Sequence, residues 1–250
     1  MAAAAALAFL GGLIAGSFIT VVAHRVPRGE SIVGPRSMCP SCGAQIAAYD
    51  NVPVFSWVLL GGRARCCDAS ISARYPLTEL TLGALYAVTV LVLWDEPWDV
   101  ALGLVFVTVL MAVTLTDLER RIIPNKILIA AALLAVALAA VGDPSSLPER
   151  AVAALAAGGL LFAAALAYPR GMGLGDVKLA AVMGLFLGRN VAPAILVALL
   201  AGSLIGLAMI ARDGAAARKR AIPFGPFLAF GGIVGLLLGD HIVDLYLSTF

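Results

Sequence analysis

The sequence predicts an all-α integral membrane protein of about eight transmembrane helices, with a cytosolic cysteine-containing segment between the first and second. Three observations predict it. Of 250 residues, 62% are hydrophobic and only 13% charged, against roughly half apolar and about a quarter charged in an ordinary soluble domain. The mean hydropathy of +1.01 is too high for a core wrapped in water, so lipid is the expected solvent. Finally, apolar runs close to the roughly 20 residues needed to cross a bilayer recur along the whole chain.

In order, these runs are Met1–Ala23, Leu77–Trp94, Val100–Thr116, Ile122–Val141, Ala151–Tyr168, Val177–Gly188, Val191–Ala211 and Phe224–Leu247. Helices are expected because a spanning segment must satisfy its own backbone N–H and C=O groups. The alternation of a membrane barrel strand is absent. The first run has no basic residues ahead of it and reads as a retained helix, not a cleaved signal. The sixth is the shortest. The organisation expected is a first transmembrane helix at 1–24, a cytosolic cysteine segment at 25–76, a second helix at 77–98, and a six-helix core at 99–250. No internal repeat is visible, and the small residues of Ala153–Gly159 suit close helix packing.

The loops between these runs alternate in charge. The stretch Arg25–Pro76 holds Arg25, Arg28, Arg36, Arg63, Arg65 and Arg74, whereas Asp95–Asp99 has three acids and no base. The third loop has Arg120, Arg121 and Lys126, the fourth only Arg150. The fifth has Arg170 and Lys178, the sixth only Arg189. The seventh has Arg212 and the run Arg218, Lys219, Arg220, which reads as a topogenic loop that also attracts anionic headgroups. The odd loops therefore carry fifteen of the 17 basic residues, and the positive-inside rule assigns them to the cytoplasm. Both termini then face outward. The net charge of +2 gives no reason to expect a nucleic-acid partner.

Two acids stand apart from the loop charges. Asp117 closes the third run, in Thr116-Asp117-Leu118-Glu119-Arg120-Arg121, and Asp176 opens the sixth, in Gly173-Leu174-Gly175-Asp176-Val177-Lys178. The topology puts both at the cytoplasmic face. A carboxylate beside hydrocarbon is costly unless it faces a cavity or a partner. Two that share a site hold one proton between them, so the ionised member can take a proton from water while the other donates to a peptide carbonyl. Gly173 and Gly175, lacking Cβ, are expected to let the backbone turn tightly and approach an extended substrate. Pro124 suits the first turn of the following helix. Taken singly, each aspartate is equally an interfacial acid: Asp117 beside Arg120 or Arg121, Asp176 at a helix N-terminus.

Asp117 followed by Pro124, with the later Gly173-x-Gly175-Asp176-x-Lys178, resembles the GxGD aspartyl proteases of the bacterial prepilin peptidase family. Further motifs resemble that family's amino-terminal region. They are Gly16-Ser17-Phe18-Ile19-Thr20-Val21-Val22, Arg25-Val26-Pro27-Arg28-Gly29-Glu30-Ser31, Cys39-Pro40-Ser41-Cys42, Tyr49 through Trp57, and Ile71-Ser72-x-Arg74-Tyr75-Pro76-x-x-Glu79. Together they cover residues from about 11 to 190. The resemblance implies that Asp117 and Asp176 form the catalytic pair. It implies a prepilin or pseudopilin substrate with a basic leader and an apolar helix, cut on the cytoplasmic side of the inner membrane just after a glycine. It also implies methylation of the new amino terminus with S-adenosylmethionine. Glu30, Asp50, Arg74 and Glu79 match positions of that region, though each reads equally as a solvated or ion-paired loop residue. No GxGxxG of a dinucleotide-type fold is present. Trp57 is expected as an interfacial anchor.

All four cysteines lie in the cytosolic segment, where reduced thiols or a metal are expected before disulfides. Cys39-x-x-Cys42 has the spacing of a zinc knuckle. The family pattern has a second Cys-x-x-Cys, from which this chain departs: Cys67 falls at the second position, Ala64 at the first, and Cys66 is displaced by two. Adjacent cysteines seldom grip one ion well. The expectations left open are a structural zinc held by Cys39, Cys42, Cys67 and, by a rearranged turn, Cys66; three thiolates with Asp68 or water; or free thiols. His24 and His241 are too far apart in sequence, and on opposite faces, to share a metal.

Two other classes fit some of these features: a proton-coupled transporter using the same aspartates, and a structural membrane subunit that only binds pilins. The transporter is disfavoured because both acids map to one face and no paired glycine-interrupted helices are present. The sequence does not fix the oligomeric state or the pilin system served.

Overall fold

The computed structural model describes residues 1–169, 171–214 and 222–249; the Arg218–Arg220 run lies outside them. The described residues form helices and no strands; β pairing is limited to two isolated bridges. The chain divides into two compact units, Met1–Trp94 and Asp95–Phe250, so the second begins in the loop ahead of the third long helix.

In the first unit, α1 (Ala2–Arg25) and α3 (Arg74–Val92) pack side by side. Gly12 and Gly16 make this approach possible, because a Cβ on either would lie 2.7 Å from a Cα of α3, that of Gly83 or Glu79. Small residues one turn apart are how helices come close in lipid, where hydrophobic burial between them gains little. The polar segment between α1 and α3 holds the short α2 (Phe55–Leu59) and two tight loops.

The second unit is a six-helix bundle: α4 (Pro97–Arg120), α5 (Asn125–Gly142), α6 (Leu147–Ala167), α7 (Leu174–Leu187), α8 (Val191–Asp213) and α9 (Gly225–Leu247). Phe106, Leu110, Leu179, Met183 and Leu228 are fully enclosed at its centre, and Phe106 stacks on Phe186 at 4.9 Å. Glycines again set the spacing: a Cβ on Gly184 of α7 would lie 2.5 Å from the Ala154 Cα of α6, within the small-residue stretch marked in the sequence. Large apolar side chains face outward, Leu133, Leu155 and Leu204 being 67%, 77% and 65% exposed. An apolar surface of that extent needs lipid.

All eight apolar runs are helical. Among the described residues, seven stretches are long and apolar enough to cross a membrane, because α7 and α8 count as one apolar stretch, Leu174–Asp213. By itself α7 has 14 residues, or roughly 21 Å at the helical rise, short of the roughly 30 Å hydrocarbon thickness. A turn at Gly188–Asn190 joins it to α8. The α7 end is held from α6. Arg150 donates from Nη1 to the Leu185 and Phe186 carbonyls at 3.2 and 2.6 Å, and Glu149 accepts from the Arg189 N–H at 2.9 Å. These contacts satisfy groups that a helix end leaves orphaned.

Candidate active site

Asp117 ends the buried stripe of α4 and Asp176 begins that of α7, with 6% and 9% exposure. Both line one cavity of about 290 Å³, together with Arg121, Ile123, Gly173 and Gly175. Asp117 sits at the last turn of α4, which stops when Arg121 adopts a left-handed conformation (φ 54) and its N–H bonds the Asp117 carbonyl at 2.8 Å. Asp176 is the third residue of α7. Its Oδ2 accepts from the Gly173 N–H at 3.2 Å, the reach-back half of a capping box. The structure thus brings two carboxyls from different helices to the same space. Among the described residues neither is ion-paired, and they are the only buried acids of 95–250. No chain of acids continues through the bundle from them.

The Asp117 carboxylate is fixed from far along the chain. Its Oδ2 accepts from the Gly225 N–H, 108 residues on, at 2.9 Å. A Cβ on Gly225 would lie 2.7 Å from that same oxygen, so only glycine lets the backbone donate there. Sequence reasoning missed this residue. The available signal was Phe224-Gly225-Pro226 at the start of the last helix, where proline marks the first turn and leaves the glycine N–H free of helical bonding.

The glycines before Asp176 act by space, not by backbone freedom. Gly173 has an ordinary φ of −80. A Cβ there would crowd Asp176 Oδ2 at 3.2 Å, and one on Gly175 would meet the Ile123 Cβ at 3.1 Å. Pro124 stands one residue before the expected first turn: it is the N-cap of α5, extended at ψ 125, and its carbonyl accepts from Ile127 N–H at 3.1 Å. Lys178 Nζ donates to Asn125 Oδ1 at 3.0 Å across the cavity wall, from α7 to α5.

The cysteine segment is built from two loops of the same plan. In the first, Met38 bridges Gln45, the Cys39 N–H bonds the Ala44 carbonyl at 2.9 Å, and Gly43 turns the chain at φ 72. In the second, Arg63 bridges Ser70, the Ala64 N–H bonds the Ala69 carbonyl at 2.8 Å, and Asp68 takes the left-handed place at φ 57. Superposed by hydrogen bonding, Ala64 stands where Cys39 does and Cys67 where Cys42 does. Cys66, one residue before Cys67, nevertheless turns its sulfur inward. All four Sγ atoms lie within 4.8 Å of one another, with Cys39–Cys67 at 3.6 Å, Cys42–Cys66 at 3.3 Å and Cys66–Cys67 at 3.9 Å. Sulfurs 2.3 Å from a tetrahedral zinc are spaced by roughly 3.8 Å. The donor set therefore fits one zinc ion, and adjacency of Cys66 and Cys67 does not prevent it. Asp68 is turned away, paired with Arg63 at 3.0 Å. Backbone N–H groups of Cys42 and Ser41 aimed at Cys39 hold its thiol down to about 6, while the hydrogen bond with Cys42 is the main cause pushing the Cys66 thiol up to about 12. Cys39 is the thiol readiest to bind as thiolate.

Around these loops the remaining family-like residues are mostly engaged with one another. Asp50 receives both forks of Arg65 at 2.9 to 3.1 Å, and Arg65 lies 5.7 Å over the Tyr49 ring. Arg65 holds the Asp50 carboxyl below its usual range. Glu79, buried on α3, accepts from the Val54 N–H at 2.7 Å and from the Ser17 hydroxyl. Val54 is a β-branched residue at φ 63, a conformation that costs about 1–3 kcal/mol and persists only where neighbours impose it. Trp57, expected as an interfacial anchor, instead braces the second loop: its indole N–H donates to the Ile71 carbonyl at 3.0 Å, and Gly62 lies against the ring. Glu30 is exposed, its backbone N–H on the Arg25 carbonyl.

The Type IV leader peptidase family model matches residues 104–211, and the bacterial peptidase A24 N-terminal domain model matches residues 10–93. Among curated relatives, a prepilin leader peptidase/N-methyltransferase of Aeromonas salmonicida (strain A449) is 34% identical over 274 residues, covering 97% of this chain and 94% of the relative. Proteins of the same name from Bacillus subtilis (strain 168) and Pseudomonas aeruginosa are 35% and 31% identical, with coverage of 96% and 95% of this chain and 96% and 91% of theirs. No solved structure matches the chain. With relatives at this identity along nearly its full length, and with both family models matched, the chain belongs to the type IV leader peptidase family.

Proposed function

We propose that this chain is a membrane aspartyl endopeptidase that removes the leader from prepilins or pseudopilins at the cytoplasmic face of the inner membrane and N-methylates the new amino terminus. The observation that carries the peptidase reading is the one cavity shared by Asp117 and Asp176. One carboxylate takes a proton from water, whose oxygen attacks the scissile carbonyl carbon. The other, protonated, gives its proton to the carbonyl oxygen, and collapse of the tetrahedral intermediate passes a proton to the leaving nitrogen as the C–N bond breaks. The Gly225 and Gly173 N–H groups hold the two carboxyls in place throughout. The cytoplasmic assignment is supported by the basic loops, among them the one with Arg120, Arg121 and Lys126, of which Arg121 lines the cavity.

The name shared by the relatives supports methyl transfer and hence S-adenosylmethionine. Of the family-like acids of the amino-terminal segment, Asp50 is taken by Arg65 and Glu79 by Val54 and Ser17, which leaves Glu30 exposed and alone, not a cradle of several groups for that cofactor. The four thiolates of Cys39, Cys42, Cys66 and Cys67 would hold a structural zinc, which supplies folding energy to a segment with little apolar core.

The test is expression with a prepilin substrate, with size and mass of the product as readouts. Asp117→Asn and Asp176→Asn should each lower cleavage by about 10³-fold or more, and the product mass should show leader loss and an added methyl. Cleavage retained in either variant overturns the paired mechanism.

A further inference from the structure

A second cavity, a groove of about 450 Å³, adjoins the one that holds the aspartates. Its wall on α5 is Asn125, Leu128, Ile129 and Ala132, spaced i, i+3, i+4, i+7, which is one face of a helix. Its wall on α7 repeats that spacing from Lys178 through Ala181 to Leu185, and Ala154 of α6 forms part of the floor. Two matched stripes about two turns long thus face each other across an apolar trough. The first residue of each stripe, Asn125 and Lys178, also lines the aspartate cavity, so the groove is its continuation. Their 3.0 Å hydrogen bond spans the junction.

We propose that this groove seats the apolar membrane-spanning segment of the peptide substrate, delivering the bond beside it to Asp117 and Asp176. The inference rests on the peptidase reading above. The groove enters the bundle along the same helices that carry the cavity, so a chain lying in it runs with the membrane-spanning helices and ends at the carboxyls. Alanines at positions 132, 154 and 181 leave room for a helix backbone to approach, as small residues do between helices in lipid. Ile129, 61% exposed, projects at the groove edge where a substrate helix would touch it. A peptide without an apolar segment has nothing to place there, so the groove selects membrane-borne substrates before any side chain near the cut is read. Asn125 and Lys178 lie at the point where the substrate must leave its helical form to present an extended bond, and their mutual hydrogen bond is exchanged for contacts to its freed backbone.

The test places a photoreactive benzoylphenylalanine at Ile129 in the Asp117→Asn chain, which holds substrate uncleaved, and at Leu155 as a control on the outward face of α6. Irradiation in membranes with full-length prepilin should give a substrate adduct from position 129 and none from 155. Adducts of 129 with lipid alone, or equal substrate adducts from both positions, overturn the proposal. In the otherwise unmodified chain, Ala132→Phe should raise the KM for full-length prepilin by about tenfold or more; an unchanged KM also overturns it. Either result with wild-type cleavage intact counts against the groove alone, whereas absence of cleavage by the wild-type chain counts against the peptidase reading itself.

Discussion

The aspartate cavity and the cysteine segment position their functional groups by opposite means. At the cavity, each carboxyl hangs from a helix packed in the bundle, and Asp117 is fixed by a backbone donor 108 residues away. Geometry there is a property of the whole bundle. In the cysteine segment, two six-residue loops converge four sulfurs with contacts from within the segment: turns, bridges, the Trp57 brace and the ion pairs of Arg63 and Arg65. Geometry there is local, and a zinc ion held by the four sulfurs would tie the two loops together. The first site should therefore be sensitive to small changes far off in sequence, and the second to its ion.

The largest effect expected from this contrast falls on Gly225. Gly225→Ala drives a methyl against Asp117 Oδ2 and displaces the carboxyl or the start of α9. A shift of about 1 Å in a catalytic group can cost about 10²-fold in rate. Leader cleavage should drop by about that factor while the protein remains in the membrane at wild-type level, as measured by product formation against the amount of inserted chain. Activity near wild type would mean that Asp117 is not held from α9.

The cysteine segment makes the converse prediction. Cys66→Ala should weaken zinc affinity by about a hundredfold or more, at least as much as losing an outer-shell partner costs, read by chelator competition on the purified protein. Because Ala64 occupies the place that Cys39 has in the first loop, Ala64→Cys combined with Cys66→Ala should restore binding. Restoration would establish that Cys66 fills a vacated ligand place; failure would mean that the two loops are not equivalent in the folded chain.

The same contrast explains what could be read in advance. Eight apolar runs and alternating loop charge are properties of composition along the chain, so the helices and the place of Asp117 and Asp176 at helix ends were legible in sequence, whereas their reading as a pair was carried by the motifs that resemble the family. Gly225 was not, because Phe224-Gly225-Pro226 marks only a helix start with a free N–H, and which group that N–H meets is decided by the packing of α9 on α4. Cys66 was legible only as a misfit: spacing rules expect ligands at fixed places of the turn, and although Asp68 repeats the left-handed turn of Gly43, Cys66 stands at the place of Ser41, where the first loop has no ligand. Trp57 read as an interfacial ring because an exposed-looking aromatic near a span usually is one; its indole N–H bond to Ile71 depends on how the second loop folds back. Gly173 and Gly175 were recognised by position, yet their reason is room beside Asp176 and Ile123, not turning freedom.

The smallest effect tests whether the cysteine segment owes anything to charge as well as to metal. Arg65 lowers the Asp50 carboxyl below its ordinary range, chiefly by hydrogen bonding. A group depressed in the folded state binds fewer protons there than when unfolded, so its contribution is present above the ordinary carboxylate pKa. That contribution is lost as pH falls through the lower folded value. The pair lies at the surface, where exposed ion pairs contribute little, so the effect is expected as a change in pH profile, not a collapse. Limited proteolysis of the segment between pH 7 and 3, zinc-loaded, should show wild type and Asp50→Asn converging at the acid end. At neutral pH the variant should be cut faster. Thiolate protonation, which releases zinc in acid, affects both chains alike and so cancels in the comparison. A constant difference across the whole range would assign the pair a packing role, with the Arg65 guanidinium acting through its place over Tyr49.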